Sequence, residues 1–184
     1  ANEPVYSQQA AAYLLRDDPK ATIRTFYSLM AGGFSQGVYE PVEHRWRWGQ
    51  YFGPPSTDGA WFEIYRNMLV REWNDDTLIL GQATPRAWLR EGKTITVSGA
   101  PTLFGNISFE LRSHVASGHI EASLWLDTPD PGKTILVRLR HPQNLPIRSV
   151  TVNGQPWSDF DANKEWIRIP NVKGEAAFRI DASY

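Results

Sequence analysis

The hydrophobic period changes once along this chain, at Thr77, and that change limits the fold more than any other feature. Before it, apolar residues recur at helical spacing. Ile23, Phe26, Tyr27 and Met30 stand at i, i+3, i+4 and i+7, and Trp61, Ile64, Tyr65, Met68 and Leu69 mark a second helical face. After it, the period is two: Ile107, Phe109 and Leu111, then Ile120, Ala122, Leu124 and Leu126, then Ile135, Val137 and Leu139 alternate with other residues. Helical and strand patterns that do not interleave predict a segregated α+β fold. The expected layout is a helical segment of about three helices over 1–75, then an antiparallel β-sandwich over 76–184.

Local signals punctuate both halves. A first helix is expected over Glu3–Arg16. Asp18 is a natural N-cap and Pro19 a natural first residue for the second helix, which Gly32-Gly33 should end with a left-handed cap. Asp58 in Ser56-Thr57-Asp58-Gly59 is placed to cap a third helix beginning near Ala60. In the second half about eight short strands are expected, with Pro129-Asp130-Pro131-Gly132 as a turn. Asn153-Gly154 signals a two-residue hairpin. Alternation turns Trp125 away from Leu124 and Leu126. Packing under the helices is the favoured role for its ring, ahead of a sugar platform.

The segment Gln36–Leu69 concentrates chemistry. It holds three of the eight tryptophans, Trp46, Trp48 and Trp61, with Tyr39, Tyr51 and Phe52, among the carboxylates Glu40, Glu43, Asp58 and Glu63 and beside His44, Arg45 and Arg47. Flat rings beside acids are the materials of a saccharide site: rings stack on C–H faces, and carboxylates take hydroxyls or protons. The candidate acids are Glu40, Glu43 and Asp58, and the candidate substrate-binding residues are Trp46, Trp48, His44, Tyr51 and Trp61. Each also has a plain structural reading: two solvated charges on a loop, a helix cap, and aromatics that pin a long loop to helices.

Several classes of function are excluded or disfavoured. A net charge of −1 argues against nucleic acid and anionic membranes as partners. No stretch approaches the roughly 18 apolar residues of a membrane-spanning helix. With no cysteine there is no disulfide, catalytic thiolate or thiolate metal site. The four histidines show no metal-ligand spacing. His114 and His119, across an expected hairpin, read as exposed turn-side residues. No metal and no cofactor are expected. Absence of cysteine fits several compartments, with a periplasmic or secreted location slightly favoured.

The order of parts resembles a known family. An aromatic, Pro-Pro-containing segment leads into a last amphipathic helix. Leu78-Ile79-Leu80-Gly81-Gln82-Ala83-Thr84-Pro85-Arg86-Ala87-Trp88-Leu89 follows, and then a strand-rich end with Val150-Thr151-Val152-Asn153-Gly154. This resembles the C-terminal end of bacterial (α/α)6-barrel glycoside hydrolases, in which a helical barrel precedes a β-sandwich. The resemblance implies a tail without the front of its enzyme, since about twelve helices make such a barrel and this chain has room for three. It implies a carbohydrate partner, and another chain or an N-terminal part that completes the helical layer. The Gln36–Asp58 stretch would be a late barrel loop, with Glu40, Glu43 and Asp58 carried only as candidates. The functional expectation is the C-terminal portion of a carbohydrate-active enzyme, not catalytic alone. The alternative is a non-catalytic carbohydrate-binding or structural module.

Overall fold

The computed structural model describes residues 7–35, 37, 42–46, 49–52 and 55–184; for 7–8, 42–46, 49–52, 55–58 and 128–131 it describes the backbone alone. The layout is α+β and segregated: helices at the N-terminal end, then a mostly antiparallel β region. The chain forms two compact units, Ala1–Leu69 and Val70–Tyr184.

The first unit contains α1 (Ser7–Leu15), α2 (Pro19–Gly33), a hairpin of β1 (Val42–Trp46) and β2 (Gly49–Phe52), and α3 (Pro55–Leu69). The start of α2 follows its sequence signal: Ala21 N donates to Asp18 Oδ1 at 2.9 Å, and Pro19 occupies the first turn. Its end does not. Gly32 and Gly33 are helical, and Phe34 ends the helix with an extended backbone (φ −103°, ψ 144°). Tertiary packing decides that stop: Gly33 is buried, and the Phe34 ring meets Trp61 edge-on at 5.2 Å. Nor is Asp58 an N-cap. The helix α3 begins at Pro55, whose fixed φ suits the first helical position, so Asp58 lies one turn inside. Where a long loop was expected, β1 and β2 pair antiparallel, with His44 opposite Tyr51, Arg45 opposite Gln50 and a register shift between Val42 and His44.

The helices pack through apolar faces. Ala10 and Leu14 of α1, Phe26 and Leu29 of α2, and Ile64, Met68 and Leu69 of α3 are buried. An aromatic stack joins α2 to α3: Phe26 lies 5.5 Å from Trp61 and 6.0 Å from Tyr65, and the rings of Trp61 and Tyr65 are nearly parallel, 5.7 Å apart.

The second unit contains β3 (Val70–Asn74), β4 (Thr77–Leu80), a 3-10 turn at Arg86–Leu89, β5 (Thr94–Thr102), β6 (Gly105–His114) and β7 (His119–Arg138). The strands β8 (Ser149–Val152), β9 (Gln155–Trp157), β10 (Phe160–Asp161) and β11 (Trp166–Ser183) complete it. Their order is β3-β4-β7-β11-β8-β9, with β6 also on β7, β5 on β6 and β10 on β11. Two long strands carry the sheet: β7 has 20 residues and β11 has 18. Pro129–Gly132 does not end a strand as expected. It is absorbed as an irregularity in which 129–132 stand against Lys173 alone, between the pairs Thr128–Gly174 and Lys133–Val172. One pairing, β4 with β7, is parallel, which the long intervening chain permits.

The strand alternation produces the core. Phe109, Leu111, Ile120, Ala122, Leu124, Val137 and Leu139 are fully buried; their neighbours as far as Trp125 are half-buried or exposed, whereas Arg138 and Arg140, beside Val137 and Leu139, are buried as well. Asn153 (φ 50°) and Gly154 (φ 76°) both take the positive φ of a type I′ turn between β8 and β9. The Asn153 side chain also ties that turn to β11, its Oδ1 accepting from Arg179 N at 2.8 Å.

Candidate functional site

The acids and rings singled out in the sequence fall largely outside what the structure describes. Glu40 and Trp48 lie outside the described residues. Glu43, His44 and Trp46 have backbone positions on β1, Tyr51 on β2 and Asp58 on α3, and their side chains lie outside the description too. Trp61 is described, and its ring belongs to the stack with Phe26, Tyr65 and Phe34. Its indole N–H is buried with no acceptor among the described residues.

A different constellation forms on the outward face of the β unit. Leu124 and Leu126 are buried at 0% and 4%, so the pleat turns Trp125 outward, where it is 51% exposed. Beside it, Ser108 on β6 and Ala177 on β11 are the cross-strand partners of Trp125. The next outward row along the strands is Asn106, Asp127 and Glu175, again in register across β6, β7 and β11. Together these residues line an open hollow of about 450 Å3. On β11 the neighbour of the indole is the small Ala177, which adds little bulk beside the ring. Asp127 and Glu175 face each other directly, and like charges so placed oppose sheet pairing. A face with one large ring, an amide, a hydroxyl and two carboxylates can stack on an apolar surface and accept several hydroxyl hydrogens. Neither Asp127 nor Glu175 carries a sequence signal beyond its place in an alternating strand.

A second cluster is buried and serves the fold. Glu165, 1% exposed and held at φ 60°, accepts both nitrogens of Arg86 at 2.8 and 2.7 Å and the His141 backbone N–H at 2.6 Å. Arg86 also donates to His141 O and Asn144 Oδ1. The His141 ring packs 4.7 Å from Tyr184, whose hydroxyl donates to Leu139 O. Burial lowers the His141 pKa from its usual 6.5; Glu165 opposes that shift and Arg86 adds to it. Burial, and then the Glu165 charge, raise that of Tyr184. These perturbed groups surround a bidentate ion pair that fastens the Pro85–Leu89 connector to the loop before β11. Ion-pair networks of this kind perturb pKa values without catalysis.

His114, His119 and Glu121 form a third group. Their ligand-bearing atoms all lie within 4.8 Å of one another. The two histidines, directly opposed in the β6–β7 register, have rings 5.1 Å apart.

No family model matches the chain, and no curated protein does. Solved structures do. One, described as a glycoside hydrolase, aligns over 91% of this chain and 29% of its own length, at TM-score 0.46 and 12% identity. Another, a GH127 β-L-arabinofuranosidase from Geobacillus stearothermophilus T6, aligns over 90% of this chain and 27% of its own, at TM-score 0.42 and 12% identity. This chain thus spans under a third of the length of these structures. A likeness at this level carries no chemistry from them to this chain. No helix among the described residues is long and apolar enough to cross a membrane.

Proposed function

We propose that this chain is a carbohydrate-binding portion of a carbohydrate-active enzyme, and that a saccharide docks in the hollow around Trp125. The single observation that carries the reading is a half-exposed tryptophan on a sheet face, flanked by Asn106, Ser108, Asp127 and Glu175. The indole would lie against the C–H face of a sugar ring, and the two carboxylates would accept its hydroxyls. The hollow is open, which suits a binding platform more than a water-excluding catalytic pocket. Turnover by these residues alone is therefore not part of the reading. The helical unit supports a larger assembly: Leu15, Tyr27, Met30 and Phe62 are 39 to 59% exposed, and further helices, in this polypeptide or another, would cover them.

The test is affinity for neutral oligosaccharides, a panel of pentose and hexose polymers measured by calorimetry. Trp125→Ala should weaken binding about 2- to 13-fold, the equivalent of roughly 0.5–1.5 kcal/mol of ring contact. Its melting temperature should stay close to that of the parent, because the indole is half in solvent. Asp127→Asn and Glu175→Gln should each weaken binding as well. If Trp125→Ala binds every saccharide as tightly as the parent, the platform reading is wrong.

A further inference from the structure

The β6–β7 hairpin ends in three side chains that nothing in the carbohydrate reading uses. His114 is the last residue of β6, and His119 and Glu121 are the first and third of β7. Period two puts His119 and Glu121 on one face of their strand, and His114 faces His119 directly across the ladder. All three are half-buried, with His119 Nε2 4.0 Å from Glu121 Oε1 and all three ligand atoms within 4.8 Å. The backbone beneath them is held on both sides. Gly118, at φ 82°, closes the turn with its N–H on Val115 O at 3.1 Å, and its carbonyl accepts from Tyr184 N at 2.9 Å. On the far side, His119 pairs in register with Ser183 of β11.

We infer that His114, His119 and Glu121 form a binding site for a divalent transition metal, Zn2+ being the ion their chemistry fits best. Two imidazoles and one carboxylate are a donor set of borderline softness that suits zinc, which takes four ligands at about 2.0–2.2 Å from nitrogen and oxygen. In such a tetrahedron neighbouring donors stand about 3.3 Å apart. The donors here need to close by about 1.5 Å or less, which side-chain rotation at a part-exposed hairpin supplies without moving the strands. Three protein ligands leave the fourth position to water. One group competes. Arg179, 70% exposed in its side chain, reaches Glu121 at 3.3 Å and holds part of the carboxylate's charge. The neighbouring Arg112, in register with Glu121, is occupied by Glu110 at 2.6 Å. The site lies about 13 Å or more along the sheet from Trp125, counted from Glu121, so the two are separable by experiment.

The experiment is calorimetric titration of the tag-free chain with Zn2+, paired with thermal melts at each metal concentration. Saturable one-to-one binding with a rise in melting temperature is expected. His114→Gln and His119→Gln should each weaken binding about tenfold or more, and Glu121→Gln less, since an amide oxygen is a poorer ligand than a carboxylate. Arg179→Ala should tighten binding, because it frees Glu121; a purely structural role for these histidines does not produce that gain. The metal-free melting temperatures identify any variant that fails to fold, and Arg179→Ala, at an exposed position, keeps the test standing if one does. Absence of saturable binding in the parent overturns the inference. So does binding that survives both histidine substitutions, which would place the ion elsewhere.

Discussion

Arg86→Met is the perturbation whose outcome the structure determines most sharply. In the parent, the Glu165 carboxylate has given up its water and receives three hydrogen bonds: two from Arg86 and one from the His141 backbone N–H. The Glu165 side chain is 2% exposed and that of Arg86 is 23% exposed. Removing Arg86 leaves a buried charge with a single neutral donor. Breaking one partner of such a pair costs about 3–5 kcal/mol. The β unit, Val70–Tyr184, has about 115 residues. At about 2.1 cal/mol/K per residue its unfolding entropy is about 0.24 kcal/mol/K, so the melting temperature should fall by about 12–20 °C. The assay is a two-state thermal melt of parent and variant, checked by urea unfolding with an unchanged m-value. The double variant Arg86→Met, Glu165→Leu should recover part of the loss, since the uncompensated charge is gone. It should not recover all of it, because the His141 N–H then lacks its acceptor, at about 1–3 kcal/mol. A single variant that melts within about 3 °C of the parent would refute the claim that this pair fastens the connector.

Three further outcomes follow from the same unit. The folded pKa of His141 lies below its unfolded value, chiefly through burial, so below about pH 6.5 the unfolded chain binds a proton that the folded one refuses. Stability is then full above pH 6.5 and declines as pH falls through the window toward the folded value; His141→Asn should flatten that slope, and an unchanged slope would reject the assignment. Tyr184 works in the opposite sense: its folded pKa is raised, so its contribution should be intact below pH 10 and fall above it, a loss absent from Tyr184→Phe. Between the glycines, Gly81→Ala should cost more than Gly154→Ala. Both have positive φ, at roughly 1–2 kcal/mol of strain, but a Cβ at Gly81 would meet Arg138 O at 3.0 Å, whereas none lies within 4 Å at Gly154. Equal losses in urea unfolding would contradict this.

What the sequence determined by itself is what a few adjacent residues decide. The period change at Thr77 marks a helix-rich first part and a strand-rich second, because side-chain direction repeats every 3.6 residues in one and every two in the other, although β1, β2 and β3 all precede it. Asp18-Pro19 starts α2, and Asn153-Gly154 makes the β8–β9 turn, because their φ preferences and side-chain acceptors act within three residues. The outward facing of Trp125 was legible too, as the complement of Leu124 and Leu126. Whether its ring would be covered was not, since that depends on strands β6 and β11 arriving with Asn106, Ser108, Glu175 and Ala177 in register. The same holds for the pieces that only the tertiary structure assembled. Arg86 meets Glu165 across 79 residues, Pro129–Gly132 is carried inside a strand held by β11, and Gly33 stays helical because it is buried. The register that sets His114 against His119 also brings Glu121 to them. Each of these is a long-range pairing whose stability resides in burial and register, and no local propensity encodes either.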